Sequence, residues 1–253
     1  MMAKRLRMLM RMRNLTRTGQ VGDGREEALA AYVLAHAAPG DVDDAIRVID
    51  EYAYRQATLI NVGDEKGLLL DAAVRRAEPR LLLELGTYCG YGALRMARAM
   101  PPEARLRSIE FSDANASVAR RIWDHAGLGD RVSVLHGTLG DGGRTIGRLV
   151  AEHGFGPGRL DFVFVDHIAP AYLPDLRRIL DQGWLHPGSI VLADNMKVPG
   201  APHYRAYLRE REGTEWRTRE HHAHVEYQSW VKDLVLESEY LPAASGGAGP
   251  VPA

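Results

Sequence analysis

Acidic residues recur in this chain at the ends of short apolar runs. Leu81-Leu82-Leu83 leads into Glu84, Leu106 to Ile109 into Glu110, Phe162 to Val165 into Asp166, and Ile190 to Ala193 into Asp194, which Asn195 follows. One such carboxylate would read as a helix cap or a solvated loop residue. Repetition at strand ends points elsewhere, because like charges along one rim cannot all stay ionised without a compensating cation. Asp166, Asp194 and Asn195 form the sharper subset. They offer only oxygen, the carboxylates neutralise a divalent charge, and they are too few to fill an octahedron. That donor set suits Mg²⁺, which keeps water or substrate oxygens in its shell. No zinc set competes, since Cys89 is the single cysteine and His221, His222 and His224 sit together in one loop or strand, read as a solvated surface.

Glu84 opens the glycine turn Gly86-x-x-x-Gly90-x-Gly92, which differs from the Gly-x-Gly-x-x-Gly of dinucleotide enzymes. A carboxylate there would repel a pyrophosphate and favour a cationic or hydroxyl-rich ligand. S-adenosylmethionine carries a ribose, an amino group and a sulfonium. Glu110, ending the next strand, is placed to accept hydrogen bonds from both ribose hydroxyls.

The elements that must position these residues follow from periodicity. Helical spacing predicts helices over Arg25 to His36, Val42 to Arg55 and Asp64 to Arg76. From Leu81 onward strands and helices alternate: strands at Leu81, Arg105–Glu110, Arg131–Leu135, Leu160–Asp166 and Ser189–Asp194, with helices from Tyr91, Asp113, Thr145, Tyr172 and His203. Strand-like segments between Trp216 and Glu237 close the pattern. This is an α/β chain with a doubly wound, mostly parallel sheet, helices on both faces and an antiparallel C-terminal strand pair. Residues 1–23 are expected to be a flexible basic segment, 24–240 one domain and 241–253 a disordered tail rich in Gly, Ala and Pro. The first 13 residues mix arginine with Met and Leu, which allows weak contact with a membrane surface.

At 253 residues and 45% hydrophobic content the chain can bury one substantial core. A formal net charge of -1 gives no reason to expect nucleic acid. A lone cysteine rules out an intrachain disulfide framework and suits a reducing, cytoplasmic setting. Nothing approaches the ~18 apolar residues of a membrane span.

The chain resembles the catechol O-methyltransferase family, class I enzymes with a Rossmann-like fold that use Mg²⁺ and S-adenosylmethionine. The likeness rests on Asn61-Val62-Gly63-Asp64-Glu65-Lys66-Gly67, Leu83 to Tyr91, Val165-Asp166-His167, Tyr172-Leu173-Pro174-Asp175, and Leu192 to Asn195 with Val198-Pro199-Gly200. The resemblance implies that Asp166, Asp194 and Asn195 hold Mg²⁺. It implies that Val62, Glu84, Gly86, Tyr88, Glu110, Asp166 and His167 surround the methyl donor. Gly92 takes a position where the family commonly has serine, and Phe111 one with another apolar residue over the adenine. Glu226 matches the glutamate that hydrogen-bonds the second hydroxyl of a small aromatic diol; by pattern alone it reads as a surface strand residue.

The departures bear on chemistry. Where the family has a tryptophan and the lysine that takes the reacting proton, this chain has Ile168 and Ala169. Thr58 replaces an aromatic gate, and Ile60 a methionine. A general base contributes about 10²–10⁴-fold, so its loss predicts a slower enzyme rather than an inactive one. Lys197 and His167 are the candidate substitutes. Two other readings stand beside a catechol enzyme: a cation-dependent methyltransferase of caffeoyl-like phenols, and a non-catalytic partner-binding protein that keeps the fold.

Overall fold

The computed structural model describes residues 14–15 and 17–241. The basic segment 1–13 and the tail 242–253 lie outside the described residues. Helices α1 (Arg25–His36), α2 (Val42–Arg55) and α3 (Gly63–Ala77) precede the sheet. The alternating part runs β1 (Leu81–Leu85), α4 (Tyr91–Ala99), β2 (Arg105–Glu110), α5 (Asp113–His125), β3 (Val132–His136), α6 (Arg144–His153), β4 (Leu160–Val165), α7 (Tyr172–Asp181) and β5 (Leu185–Ala193). Then come α8 (Pro202–Glu210) and the hairpin β6 (Trp216–His224) and β7 (Lys232–Tyr240). Polar caps set where two of the helices begin. Asp41 accepts the Asp44 N–H at 2.9 Å ahead of α2, and Ser112 accepts the Asn115 N–H at 3.4 Å ahead of α5.

Among the described residues seven strands form one sheet in the order β3-β2-β1-β4-β5-β7-β6. The first five are parallel; β7 runs antiparallel to β5, and β6 to β7. This is the predicted doubly wound sheet with its antiparallel pair. Strand alternation divides the interior into two cores. Leu82, Leu106, Phe162, Phe164 and Leu192 pack with residues of α1 to α5, whereas Leu83, Val163, Val165 and Val191 pack with residues of α6, α7 and α8.

Three expectations need correction. β5 begins at Leu185 instead of Ser189: Leu160 pairs with Leu185 but Phe162 with Ile190, so His186-Pro187-Gly188 bulges from the ladder. Glu226 lies in the turn between β6 and β7, not in a strand. The folded body also starts before residue 24. Val21 is buried, its N–H donates to Glu26 Oε1 at 2.8 Å, and Gly19 O accepts from Asn115 Nδ2 at 2.9 Å. At the other end, the Leu241 N–H donates to Glu215 O at 2.9 Å.

Candidate active site at the strand ends

Register puts the acidic residues in order. Leu85 lies opposite Ile109 and Val165, and Val165 opposite Ala193. The next residues therefore share one level: Glu110, Gly86, Asp166 and Asp194. Backbone bonds continue the ladder there, from Gly86 N–H to Ile109 O at 3.0 Å, Asp166 N–H to Leu85 O at 2.9 Å and Asp194 N–H to Val165 O at 3.0 Å. Glu84 lies opposite Ser108 and Phe164, two residues deeper than that level, on the same face as the others. The four carboxylates are thus stepped rather than collinear, with Glu84 inside the fold.

On the β1–β2 side the turn after β1 runs very close to β4. A Cβ on Gly86 would fall 2.5 Å from Asp166 O, and its φ of 97° is one that side chains avoid. This close approach, more than a ligand, requires glycine here. Glu110 is held by backbone N–H groups: Thr87 and Tyr88 donate to Oε2 at 3.1 and 2.8 Å, and Ser112 to Oε1 at 2.9 Å. Burial raises its pKa against those bonds. The carboxylate predicted to face a ribose is folded onto the chain's own backbone.

Glu84 is also buried and accepts from Ser108 Oγ at 2.5 Å. Burial pushes its carboxyl up to about 8, with the Ser108 bond opposing and Glu110 adding to the rise. A Cβ on Gly92 would fall 2.4 Å from Glu84 Oε1, so glycine in the family's serine position leaves room for this inward carboxylate. Tyr88 donates its hydroxyl to Glu26 Oε1 at 3.0 Å, Val62 is buried at the start of α3, and Phe111 is exposed.

On the β4–β5 side charge gathers around a residue that pattern reading passed over. Lys66 Nζ, on the first turns of α3, lies 2.8 Å from Asp194 Oδ2, 2.5 Å from Glu226 Oε1 and 3.1 Å from Asp233 Oδ2. Its side chain is 1% exposed. Burial works to lower its pKa, but Asp194 and Glu226 outweigh that and raise it. Asn195, with φ 59°, turns Nδ2 toward Glu226 Oε1 at 3.0 Å and Asp233 Oδ2 at 3.2 Å. Asp194 Oδ1 accepts the Asn195 N–H at 2.6 Å. Burial lifts the Asp194 carboxyl to about 7, Lys66 opposing and Glu226 adding. Burial and then Asp194 push the partly buried Asp166 well above the carboxylate range. No sequence signal links Lys66 to Glu226 and Asp233, 160 and 167 positions away; only its place in the Asn61–Gly67 block marks it.

These residues suit a hard divalent ion. Asn195 gives its nitrogen to carboxylates, which leaves Oδ1 for an ion, and Asp194 Oδ2 has a charge beside it but no aligned donor. Among the described residues no cluster of three or more His, Cys, Asp or Glu is arranged for a metal. A fit therefore depends on the amide oxygen beside two carboxylates. The single ammonium leaves Asp166, Asp194, Glu226 and Asp233 with surplus negative charge.

Other predicted residues stand apart. Lys197 reaches the cluster through its backbone N–H, which donates to Asp233 Oδ1 at 3.0 Å; its exposed Nζ is 3.5 Å from His222 Nδ1. This placement argues against Lys197 as a substitute base. His167 Nε2 is engaged by Asp175 at 2.9 Å, and its ring stacks on Tyr172. The three histidines of β6 do not converge: His221 pairs with Glu237 at 2.9 Å and His224 with Glu65 at 3.1 Å. Ala169 begins a short 3₁₀ turn, Ile168 beside it is exposed, and Thr58 O accepts from Arg25.

Comparison with known proteins identifies the family. The family profile for O-methyltransferases matches residues 44–201. A probable O-methyltransferase of Mycobacterium tuberculosis is 66% identical over 229 residues, covering 90% of this chain and 97% of the relative. Catechol O-methyltransferase of Mus musculus is 41% identical over 189 residues, or 75% of this chain and 69% of that protein. A Bacillus cereus O-methyltransferase, solved in complex with SAH, shares the fold at a TM-score of 0.62 and 21% identity, covering 84% of this chain and 97% of that one. Profile match and full-length similarity together place this chain in the O-methyltransferase family.

Proposed function

We propose that the chain transfers a methyl group from S-adenosylmethionine to one hydroxyl of a catechol or similar vicinal-diol aromatic, with Mg²⁺ as its metal. The observation that carries this reading is the common level of Glu110, Asp166 and Asp194 at the strand ends, with surplus negative charge on the β4–β5 side. Similarity to proteins named catechol O-methyltransferase supports the acceptor class.

Asp166, Asp194 and Asn195 would hold the ion, which supplies electrostatic stabilisation to an ionised hydroxyl. Val62, Gly86, Tyr88, Gly92, Phe111 and His167 would border the donor, whose positive charge would favour the ionised forms of Glu84 and Glu110, both raised by burial. To meet both ribose hydroxyls, Glu110 would exchange some of its backbone N–H bonds for the ligand. Glu226 would accept the hydrogen bond of the second hydroxyl and so orient the diol. Nothing at Ala169 takes the reacting proton. A phenol ionises near ~10, so its proton passes to solvent and the reaction is slower by about 10²–10⁴-fold than with a positioned base.

Thr58 and the exposed Ile168 stand where the resembled family has aromatic side chains, which favours a second acceptor, a caffeoyl-like phenol with a larger substituent. The test is methyl transfer from labelled donor to pyrocatechol and a caffeoyl ester, with Mg²⁺ and with EDTA. Turnover that EDTA abolishes is expected. Donor binding by calorimetry without turnover on either acceptor would overturn the proposal in favour of a non-catalytic role.

A further inference from the structure

Lys66 touches three elements at once: its own helix α3, the Asp194 end of β5, and the β6–β7 hairpin through Glu226 and Asp233. An ammonium has three N–H donors and no acceptor, and here it faces three carboxylates in an enclosed site. The carboxylates are not equivalent. Asp233 is saturated, because its Oδ1 also accepts the backbone N–H groups of Lys197 and Val198 at 3.0 and 3.2 Å. Asp194 has one oxygen on the Asn195 N–H and the other beside Lys66. Glu226 is the least buried, at 14% exposed against 0% for the other two. Both of its protein donors, Lys66 Nζ and Asn195 Nδ2, meet the same oxygen, Oε1. Its Oε2 is left for a ligand.

We infer that Lys66 is a positioning residue that pins Glu226 by one oxygen so that the other faces the acceptor, and that it shares Asp194 with the divalent ion. The acceptor half rests on the function proposed above; the pinning does not. Without the ammonium, Asp194, Glu226 and Asp233 repel one another, and Glu226, on a turn, is the one free to leave. The turn also has little slack while Lys66 holds it: a Cβ on Gly63 would fall 3.2 Å from Glu226 Cα. Lys66 stands 2.8 Å from Asp194 Oδ2, so removing it also frees an oxygen that the ion would otherwise share.

The test compares wild type, K66M and K66R as full chains. Amide hydrogen exchange over residues 225–231 reads the pinning directly. The proposal expects it to quicken about tenfold or more in K66M and to stay near wild type in K66R. Mn²⁺ titrated by electron paramagnetic resonance, without donor or acceptor, is expected to bind K66M at least as tightly as wild type. With pyrocatechol, KM should rise about tenfold in K66M while kcat changes less, and K66R should recover most of the loss. Unchanged exchange over 225–231 overturns the pinning, and Mn²⁺ binding weakened more than tenfold overturns the sharing of Asp194. Should K66M fail to fold, E226Q cuts the same pair from the other side, and unchanged exchange in that turn again overturns the proposal. If wild type does not methylate any diol, the proposed function fails, while exchange still decides the role of Lys66.

Discussion

At the β1–β2 ends Glu110 accepts three backbone N–H groups and Glu84 a serine hydroxyl, so neutral dipoles hold both carboxylates. At the β4–β5 ends and the β6–β7 turn, Asp194, Glu226 and Asp233 are gathered by one ammonium, and Asp166 stands beside them with its pKa raised. The first region is settled by the fold's own dipoles. Partners of opposite charge hold the second together, and it remains short of positive charge. The difference teaches where each ligand would act. A neutral-dipole site can exchange hydrogen bonds with a ribose at little electrostatic cost, whereas an under-neutralised site draws in an ion.

The largest expected effect breaks the charged side. D194N removes a carboxylate from both the ion and Lys66, and should lower methyl transfer by about 10²–10⁴-fold through loss of the metal's transition-state stabilisation. Calorimetric Mg²⁺ titration should show the loss of affinity directly. Next comes a gain. A169K puts an amine where the chain has none and should raise kcat by up to about 10²-fold, with a new ionisation in its pH–rate profile.

Breaking the neutral side should cost stability before chemistry. E110Q replaces an acceptor-only carboxylate with an amide that cannot serve every backbone N–H, for about 1–3 kcal/mol, read as a lower melting temperature without added Mg²⁺ dependence. A smaller effect concerns pH. The folded pKa of Glu84 lies at about 8, above the ordinary 4.5, so the fold keeps a proton that the unfolded chain has lost. Its contribution to stability is therefore present below pH 4.5 and is lost as pH climbs toward 8. The melting temperature of E84Q should fall less than that of wild type across that window. The smallest change expected is in K197M, whose pH–rate profile should match wild type because Nζ points to His222.

Much of this molecule is determined locally. Short continuous apolar runs, helical spacings and glycine breaks define the strands and helices, and the acidic residues that end the runs mark the rim where a ligand would sit, because these patterns depend on neighbours a few positions apart. Register follows only in part: Glu110, Asp166 and Asp194 share one level, whereas Glu84 lies two residues deeper. What only the tertiary structure decided is which charges meet. Lys66 reaches Asp194, Glu226 and Asp233 across more than half the chain, Glu110 turns onto the Thr87–Tyr88 backbone, and Lys197 points away from the cluster it follows in sequence. Long-range electrostatic partners are set by how helices and hairpins pack over the sheet. A side chain's charge is written in the sequence, but its counter-charge is chosen by packing.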